Sequence, residues 1–491
     1  MEVAASASWR WWPGLPLLGH LHLLGSLPHR SLRSLAASHG PVMLLRLGRV
    51  PTVVASSPAA AEEAMKARDL AFSGRPRLLM AERLLYGCDM AFAPYGEYWR
   101  QARRVCALHL LSPRRTLSFR RVREQEAAAL VARVRAATAA GAVNLSDILI
   151  CYSKAVISRA AFGDGDYKLD GDDDGGEKLR RVFADFEELI AAAPMREVAP
   201  WLGWVDTLTG LEAKTRRTFQ ALDGFLERVI ADHRSRRPGG RRVVDDGEAD
   251  DHRDFVDVLL DVNEMDKDAG IRLDTDNIKA IIMDIFAAGT DTSYTVLSWA
   301  MAELMNHPRQ LRKLQDEIRA AAGDTGHVYE DHLDGMPYLK AVISETMRLH
   351  TPAPLLIPRE TVEDTELLGY HIPARTRVVV NAWAIGRDPA AWERAEEFVP
   401  ERFVDAPMDY SRIGQDFRFL PFGAGRRGCP GAGFAAPVTE LALANMLYHF
   451  DWEAPAGDGA GSAVDMSEVY GLSVRLKAPL LLVARTWIGG R

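Results

Sequence analysis

Apolar residues follow two spacings along this chain. Val42-Met43-Leu44-Leu45-Arg46-Leu47 and Thr52-Val53-Val54-Ala55 are short apolar, β-branched runs on either side of Gly48-Arg49-Val50-Pro51, which predicts a strand pair with a turn between them. Ala59 to Ala67 has the spacing of a short amphipathic helix. Tyr98 to Leu111 and Ser118 to Ala140 carry longer helical patterns rich in Ala, Leu and Arg. The strongest signal runs from Asp276 to Asn306, about 30 residues or roughly 45 Å of helix. It is apolar on most faces, as expected of a helix crossing the middle of a large core. Arg377-Val378-Val379-Val380 and Leu480 to Ala484 predict strands, and an Ala-rich apolar stretch covers Ala432 to Leu447. Gly163 to Glu177 and Arg234 to Arg253 are polar, Gly-containing segments that predict loops, either domain linkers or ordinary surface connections. No repeat of solenoid length occurs. The fold class is mainly α with minor β.

Composition narrows the picture only a little. The 491 residues are 47% hydrophobic and 26% charged, an ordinary globular balance, and the length alone suggests two or three domains. A net charge of −7 gives no support for nucleic acid as a partner. Four cysteines (Cys88, Cys106, Cys151 and Cys429) are far apart with no CxxC pair, which excludes a disulfide scaffold or zinc cluster and suits a reducing compartment. Asp170, Asp172, Asp174 and Gly175 imitate the start of a calcium loop, but Arg181 stands where its bidentate Glu belongs, so calcium is rejected. Met1 to Ser8 is weakly apolar, Arg10 interrupts it, and Pro13 and Pro16 follow, so neither a spanning helix nor a secretory core is expected there. Trp9, Trp11 and Trp12 suit a lipid interface or a disordered end.

Chemistry concentrates in Pro421-Phe422-Gly423-Ala424-Gly425-Arg426-Arg427-Gly428-Cys429-Pro430-Gly431. Glycines allow a tight turn and close approach to a flat group. Arginines beside a thiol lower its pKa and also grip carboxylates. Such a loop holds haem iron through Cys429, or is a Gly-rich turn with an incidental cysteine. On the central helix, Ala287-Ala288-Gly289-Thr290-Asp291-Thr292-Ser293 places an acid beside a hydroxyl at a wall thinned by small residues. A proton relay and a Gly/Thr kink at a close helix contact explain this stretch equally well. Glu345 and Arg348 share a helix face among apolar neighbours, with Arg402 of Pro400-Glu401-Arg402-Phe403 as a third partner for a buried pair. Trp99 and Arg103, four apart, also share a face, and Arg359 is a second candidate anion grip. Arg100, Arg104, Arg114, Arg115, Arg120 and Arg121 form a basic patch, either a docking site for an acidic protein or a solvated face.

Taken in order, these elements resemble the cytochromes P-450, haem-thiolate monooxygenases. Phe422, Gly425, Arg427, Cys429 and Gly431 match the family pattern F-x-x-G-x-R-x-C-x-G, and Ala288 to Ser293 its oxygen-activation motif. Glu345 and Arg348 match E-x-x-R, Pro400 to Phe403 match P-E-R-F, and Trp99 with Arg103 match W-x-x-x-R. Pro352 to Glu360 and Asn381 to Pro389 are similar to the plant A-type enzymes of specialised metabolism. The resemblance implies a single catalytic domain over 13–491, in place of several, with haem b between the central helix and the cysteine loop. It implies Cys429 as the axial thiolate and Trp99, Arg103, Arg359 and Arg427 around the haem propionates. Asp291 and Thr292 are implied as proton donors, and Glu345, Arg348 and Arg402 as a network supporting the cysteine loop. It further implies NADPH as electron source through NADPH–cytochrome P-450 reductase, O2 and a small apolar or aromatic plant metabolite as substrates, and the cytosolic face of the endoplasmic reticulum membrane.

Two positions depart from the family. Residues 1–12 lack the usual apolar anchor, leaving a remnant hinge at Pro13-Gly14-Leu15-Pro16, so the expectation is either a truncated or mispredicted product or a cytosolic or peripherally membrane-associated one. Thr351 stands where the family often has Pro. The expected pocket walls are the segment before Tyr95, residues 185–230, Ile282 to Thr292, Pro352 to Ile357 and Val469 to Leu472. The competing functions are a haem-thiolate dehydratase or isomerase working without NADPH, disfavoured by Asp291 and Thr292, and an inactive truncated haem-binding copy.

Overall fold

The computed structural model describes residues 14–165, 167, 177–236, 253–265, 273–455 and 463–487. The N-terminal tryptophans, Pro13, the acidic segment around Asp170 to Gly175 and most of the loop after Arg234 lie outside the described residues.

Helices dominate. Those that frame the site are α1 (Glu97–Val105), α2 (Arg120–Ala137), α3 (Leu145–Phe162), α4 (Glu177–Ile190), α5 (Leu211–Ser235), α6 (Thr275–Asn306), α7 (Pro308–Ala322), α8 (Pro337–Leu349) and α9 (Ala432–His449). The main sheet contains β1 (Val42–Leu47), β2 (Val50–Ala55), β3 (Arg359–Glu360) and β4 (Arg377–Val380) in the order β1-β2-β4-β3. Within it β2 and β4 run parallel and the other pairs antiparallel. A small hairpin joins β5 (Glu468–Tyr470) to β6 (Val474–Leu476).

The predicted strand pair forms, with a shorter turn than expected. Val50 and Pro51 join β2, leaving Gly48-Arg49 as a two-residue connection. Gly48 has φ +62°, and a Cβ there would stand 2.1 Å from the Val198 carbonyl oxygen. A turn that starts on a left-handed glycine matches the twist of the flanking strands, so two residues suffice. The helix expected over Tyr98 to Leu111 divides into α1 and a wider π turn over Cys106–Leu110.

The predicted central helix is α6, continuous over 32 residues. Asp274 caps it, its carboxylate accepting from the Asn277 backbone N–H while the Asn277 side-chain oxygen accepts from the Asp274 backbone N–H. Pro308 follows its last turn and forces the residue before it out of helical geometry. Nearly every residue from Ile278 to Leu304 is buried, because α3, α8, α9 and β6 all pack along it. This explains a helix without a polar face. Among the described residues no helix is long and apolar enough to cross a membrane.

Candidate active site

The cysteine loop is fixed by its own backbone. Cys429 N–H donates to the Phe422 carbonyl and Gly428 N–H to Gly425, both at 2.9 Å. Gly425 has φ +68° and its α-carbon faces the Met65 carbonyl, where a Cβ would come within 2.2 Å. No other residue fits there. The loop runs directly into α9, and the amides of Gly431 and Ala432 at its first turn donate toward the Cys429 thiol. Burial pushes that thiol up, while these amides and the Arg103 guanidinium favour the thiolate.

Cys429 opens on an internal cavity of about 280 Å³ between α6 and the cysteine loop. The walls are apolar, with Ile157, Ala288, Val296, Met347, Leu356 and Phe422 among them, and Thr292 and Ser293 bring hydroxyls. At one edge stand four arginines, Arg75, Arg103, Arg359 and Arg427. Burial lowers the pKa of each, to about 9 for Arg427 and about 10 for Arg359. Neighbouring guanidiniums lower Arg75 and Arg427 further. Carbonyls hold them in place. Arg427 donates to Ser73 and Ala93 at 2.8 Å, and Arg75 to Ala91, Ile357 and Pro358. Arg359 donates to Ala424 at 2.8 Å and faces Asp69 at 3.4 Å, while Asp69 also accepts from Arg426 at 2.6 Å. Nη1 of Arg427 is buried without a partner. Clustered cations with an unmet donor suit a dianion at the cavity edge, and a thiol at a helix N-terminus suits a metal. The residues present fit the group implied by the sequence.

Trp99 sits otherwise than its spacing suggested. Its indole N–H donates to the Met90 carbonyl at 3.1 Å, and its ring face carries the Arg427 guanidinium 4.0 Å away. It positions an arginine rather than presenting its own donor. Arg75 and Asp69 were not found from sequence. Arg75 follows Gly74, whose backbone bridges Glu360 of β3, and nothing local marks its partners at Ala91, Ile357 and Pro358.

Asp291 and Thr292 part company. Thr292 lines the cavity and donates back to the Ala288 carbonyl at 2.6 Å, whereas Asp291 is buried on another face of α6. The helix continues unbroken through the motif. Gly289 meets α3 instead: a Cβ there would lie 2.5 Å from Ile157 Cδ1.

Glu345, Arg348 and Arg402 form one network away from the cavity. Arg348 grips Glu345 through two bonds of 2.7 and 2.8 Å, both side chains fully buried, and also donates to the carbonyls of Gly386, Ala395 and Glu397. Arg402 and the Val399 amide complete the Glu345 carboxylate. The Arg348 guanidinium lies over Trp392, and the ring contacts Trp392–Phe403–Phe419 continue to the start of the cysteine loop. The expected basic patch shrinks. Arg115 is buried, Arg120 is held by Glu124 and Asp331, and Arg100 by Glu97, while Arg104, Arg114 and Arg121 are exposed. Of the expected walls, residues 185–230 and Val469 to Leu472 do not line the cavity, since the latter belong to the β5–β6 hairpin.

A family model described as Cytochrome P450 matches residues 10–471. Cytochrome P450 71A1 of Persea americana is 48% identical over 470 residues, 95% of this chain and 91% of that protein. The (+)-menthofuran synthase of Mentha piperita is 43% identical, with 96% and 91% covered. A zebra fish cytochrome P450 solved with abiraterone superposes with a TM-score of 0.77 at 26% identity, covering 94% of this chain and all of that one. With matches of this extent along both sequence and fold, the chain belongs to the cytochrome P450 family.

Proposed function

We propose that this haem monooxygenase inserts one atom of O2 into a small apolar or aromatic plant metabolite, with electrons from NADPH delivered by a reductase. Bound haem supplies O2 activation at a thiolate-held iron. Every other contribution comes from the chain. Cys429 would hold the iron through its thiolate, whose negative charge the amides of Gly431 and Ala432 and the Arg103 guanidinium stabilise. Arg75, Arg103, Arg359 and Arg427 would hold the haem carboxylates, Trp99 supporting the Arg427 guanidinium on its ring face. Phe422 and the loop glycines leave room for a flat ring. Thr292 holds a proton at its Oγ1 inside the cavity, and Asp291 supplies it from behind the helix. The network of Glu345, Arg348 and Arg402 keeps the segment leading to the cysteine loop in place.

One observation carries the reading: a thiol, a hydroxyl and an apolar wall open on the same enclosed space. Such walls exclude water and favour apolar ligands. The similarity to a menthofuran synthase supports a small plant metabolite. We place the protein, as one catalytic unit over 13–491, at the cytosolic face of the endoplasmic reticulum membrane. The exposed Trp201, Trp204 and Leu208 support peripheral contact there, and Arg104, Arg114 and Arg121 offer a surface to an acidic reductase. The test is turnover of a plant metabolite panel, preselected by ligand-induced spectral shifts, under isotopically labelled O2. Label in the product and dependence on NADPH are expected. Turnover with oxygen excluded would instead identify a dehydratase or isomerase.

A further inference from the structure

We propose that Glu187 on α4 is a proton-relay residue, forming with Asp291 a buried carboxyl pair that passes protons from solvent to the wall of the cavity. This rests on the monooxygenase reading, in which chemistry inside the cavity consumes protons.

The observation begins at Asp291. It is 1% exposed, and neither carboxylate oxygen has a hydrogen-bond partner. The nearest cation, Nη1 of Arg475 on β6, stands 3.8 Å from Oδ1, beyond hydrogen-bond reach. Glu187 is 6% exposed and its Oε1 is likewise without a partner. Acids this deeply buried are almost always paired or hydrogen-bonded, because leaving them bare is costly. A structural role gives a buried carboxylate fixed donors, as Glu345 has from Arg348, Arg402 and the Val399 amide. Glu187 and Asp291 lack such donors; α4 packs on α6 here, Phe183 one turn before Glu187 stacking on Phe286 at 4.1 Å, and the charge of Asp291 reaches Glu187, so the two carboxyls can share one proton.

The surroundings set direction. Burial first, and then the charge of Asp291, pushes the Glu187 carboxyl up to about 7, while Lys154 on α3 and Arg475 pull it down. Lys154 and Arg475 are half-buried, so they mark the end nearest solvent. Asp291 marks the inner end, one residue before the cavity-lining Thr292. The transfer breaks the O–H bond of neutral Glu187 and forms one on the Asp291 carboxylate, carried by ordered water between unmet oxygens. Asp291 passes the proton toward Thr292, and Glu187 regains one from solvent beside Lys154 and Arg475. Charge is conserved at each transfer, and no other reactant is needed.

The test uses the full chain loaded with haem, with the ferrous–CO spectrum confirming a thiolate ligand before each comparison. Absence of that spectrum in the wild type would defeat the monooxygenase reading itself and the relay with it. Infrared titration of the ferric protein should show a neutral carboxyl band that fades as pH rises through about 7 and is missing in Glu187→Gln. In the same variant, peroxide released per NADPH should rise several-fold and the solvent isotope effect on product formation should grow. Glu187→Asp should restore much of the coupling. Arg475→Gln provides a second route, since removing this cation should move the infrared midpoint and the pH profile of coupling upward together. An unchanged band in Glu187→Gln, unchanged coupling despite loss of the band, or an unmoved midpoint in Arg475→Gln would each overturn the proposal.

Discussion

Thr292 shows what a single residue adds to this site. Its hydroxyl oxygen opens on the cavity while its proton is donated back to the Ala288 carbonyl, so the oxygen is free to accept in the cavity and a turn of the hydroxyl would bring its proton there. Replacing Thr292 with Ala should lower the share of electrons reaching product by about tenfold or more, with haem binding unchanged. The check is product and peroxide measured per NADPH, and tight coupling in the variant would remove Thr292 from the proton route. The sequence named this residue because an acid beside a hydroxyl on an apolar helix is a local pattern. It also named Cys429, Arg103, Arg359 and Arg427, whose chemistry shows in their immediate neighbours. Nothing local marked Arg75 or the proposed Glu187, because the groups that bear on them are far away in sequence: the Ile357 and Pro358 carbonyls accept from Arg75, and the charges of Asp291 and Arg475 act on Glu187. Trp99 was legible as a partner for arginine, but the arginine it carries is Arg427, 328 positions beyond it, instead of Arg103 on its own helix face.

The element that decides most is α6. Its length and apolar character were plain in the sequence, and it begins within one residue of the expected start. Its local geometry was not, since relay and kink are equally compatible with Gly289 and the threonines around it. The structure shows an unbroken run of helix in which Gly289 admits Ile157 of α3. Leucine at position 289 would need that space, and overpacking of this kind costs about 1–3 kcal/mol. Gly289→Leu should therefore lower the thermal midpoint, and Ile157→Ala in the same chain should recover part of the loss. Simple additivity of the two changes would show that the contact is not the cause. The strand elements were read less well than the helices. β3 has two residues and β5 and β6 three each, too short for a hydrophobic period to register; β3 exists because β4 supplies its partner, and β5 and β6 because they pair with each other in a hairpin.

At the scale of the whole molecule, length alone suggests several domains and the family resemblance one; α3, α7, α8 and α9 pack along α6. Ion pairs help to hold distant parts together, and one of them fixes the β5–β6 hairpin to the N-terminal region. Burial would raise the Glu468 carboxyl, but hydrogen bonds from His29 and Arg30 hold it down at about 2. A carboxyl depressed in the folded chain binds fewer protons than in the unfolded one, so its stabilisation is complete above the ordinary Glu range and is lost as pH falls through about 2. Glu468→Gln should flatten the decline of the thermal midpoint in acid. An equally steep decline in that variant would place the acid sensitivity elsewhere. All of this structure converges on the cysteine loop, and the most direct test is the absorbance of the ferrous–CO complex of the full chain. Thiolate ligation by Cys429 predicts the strongly red-shifted Soret band, lost on Cys429→Ser. A wild-type band at the position of neutral histidine ligation would contradict it.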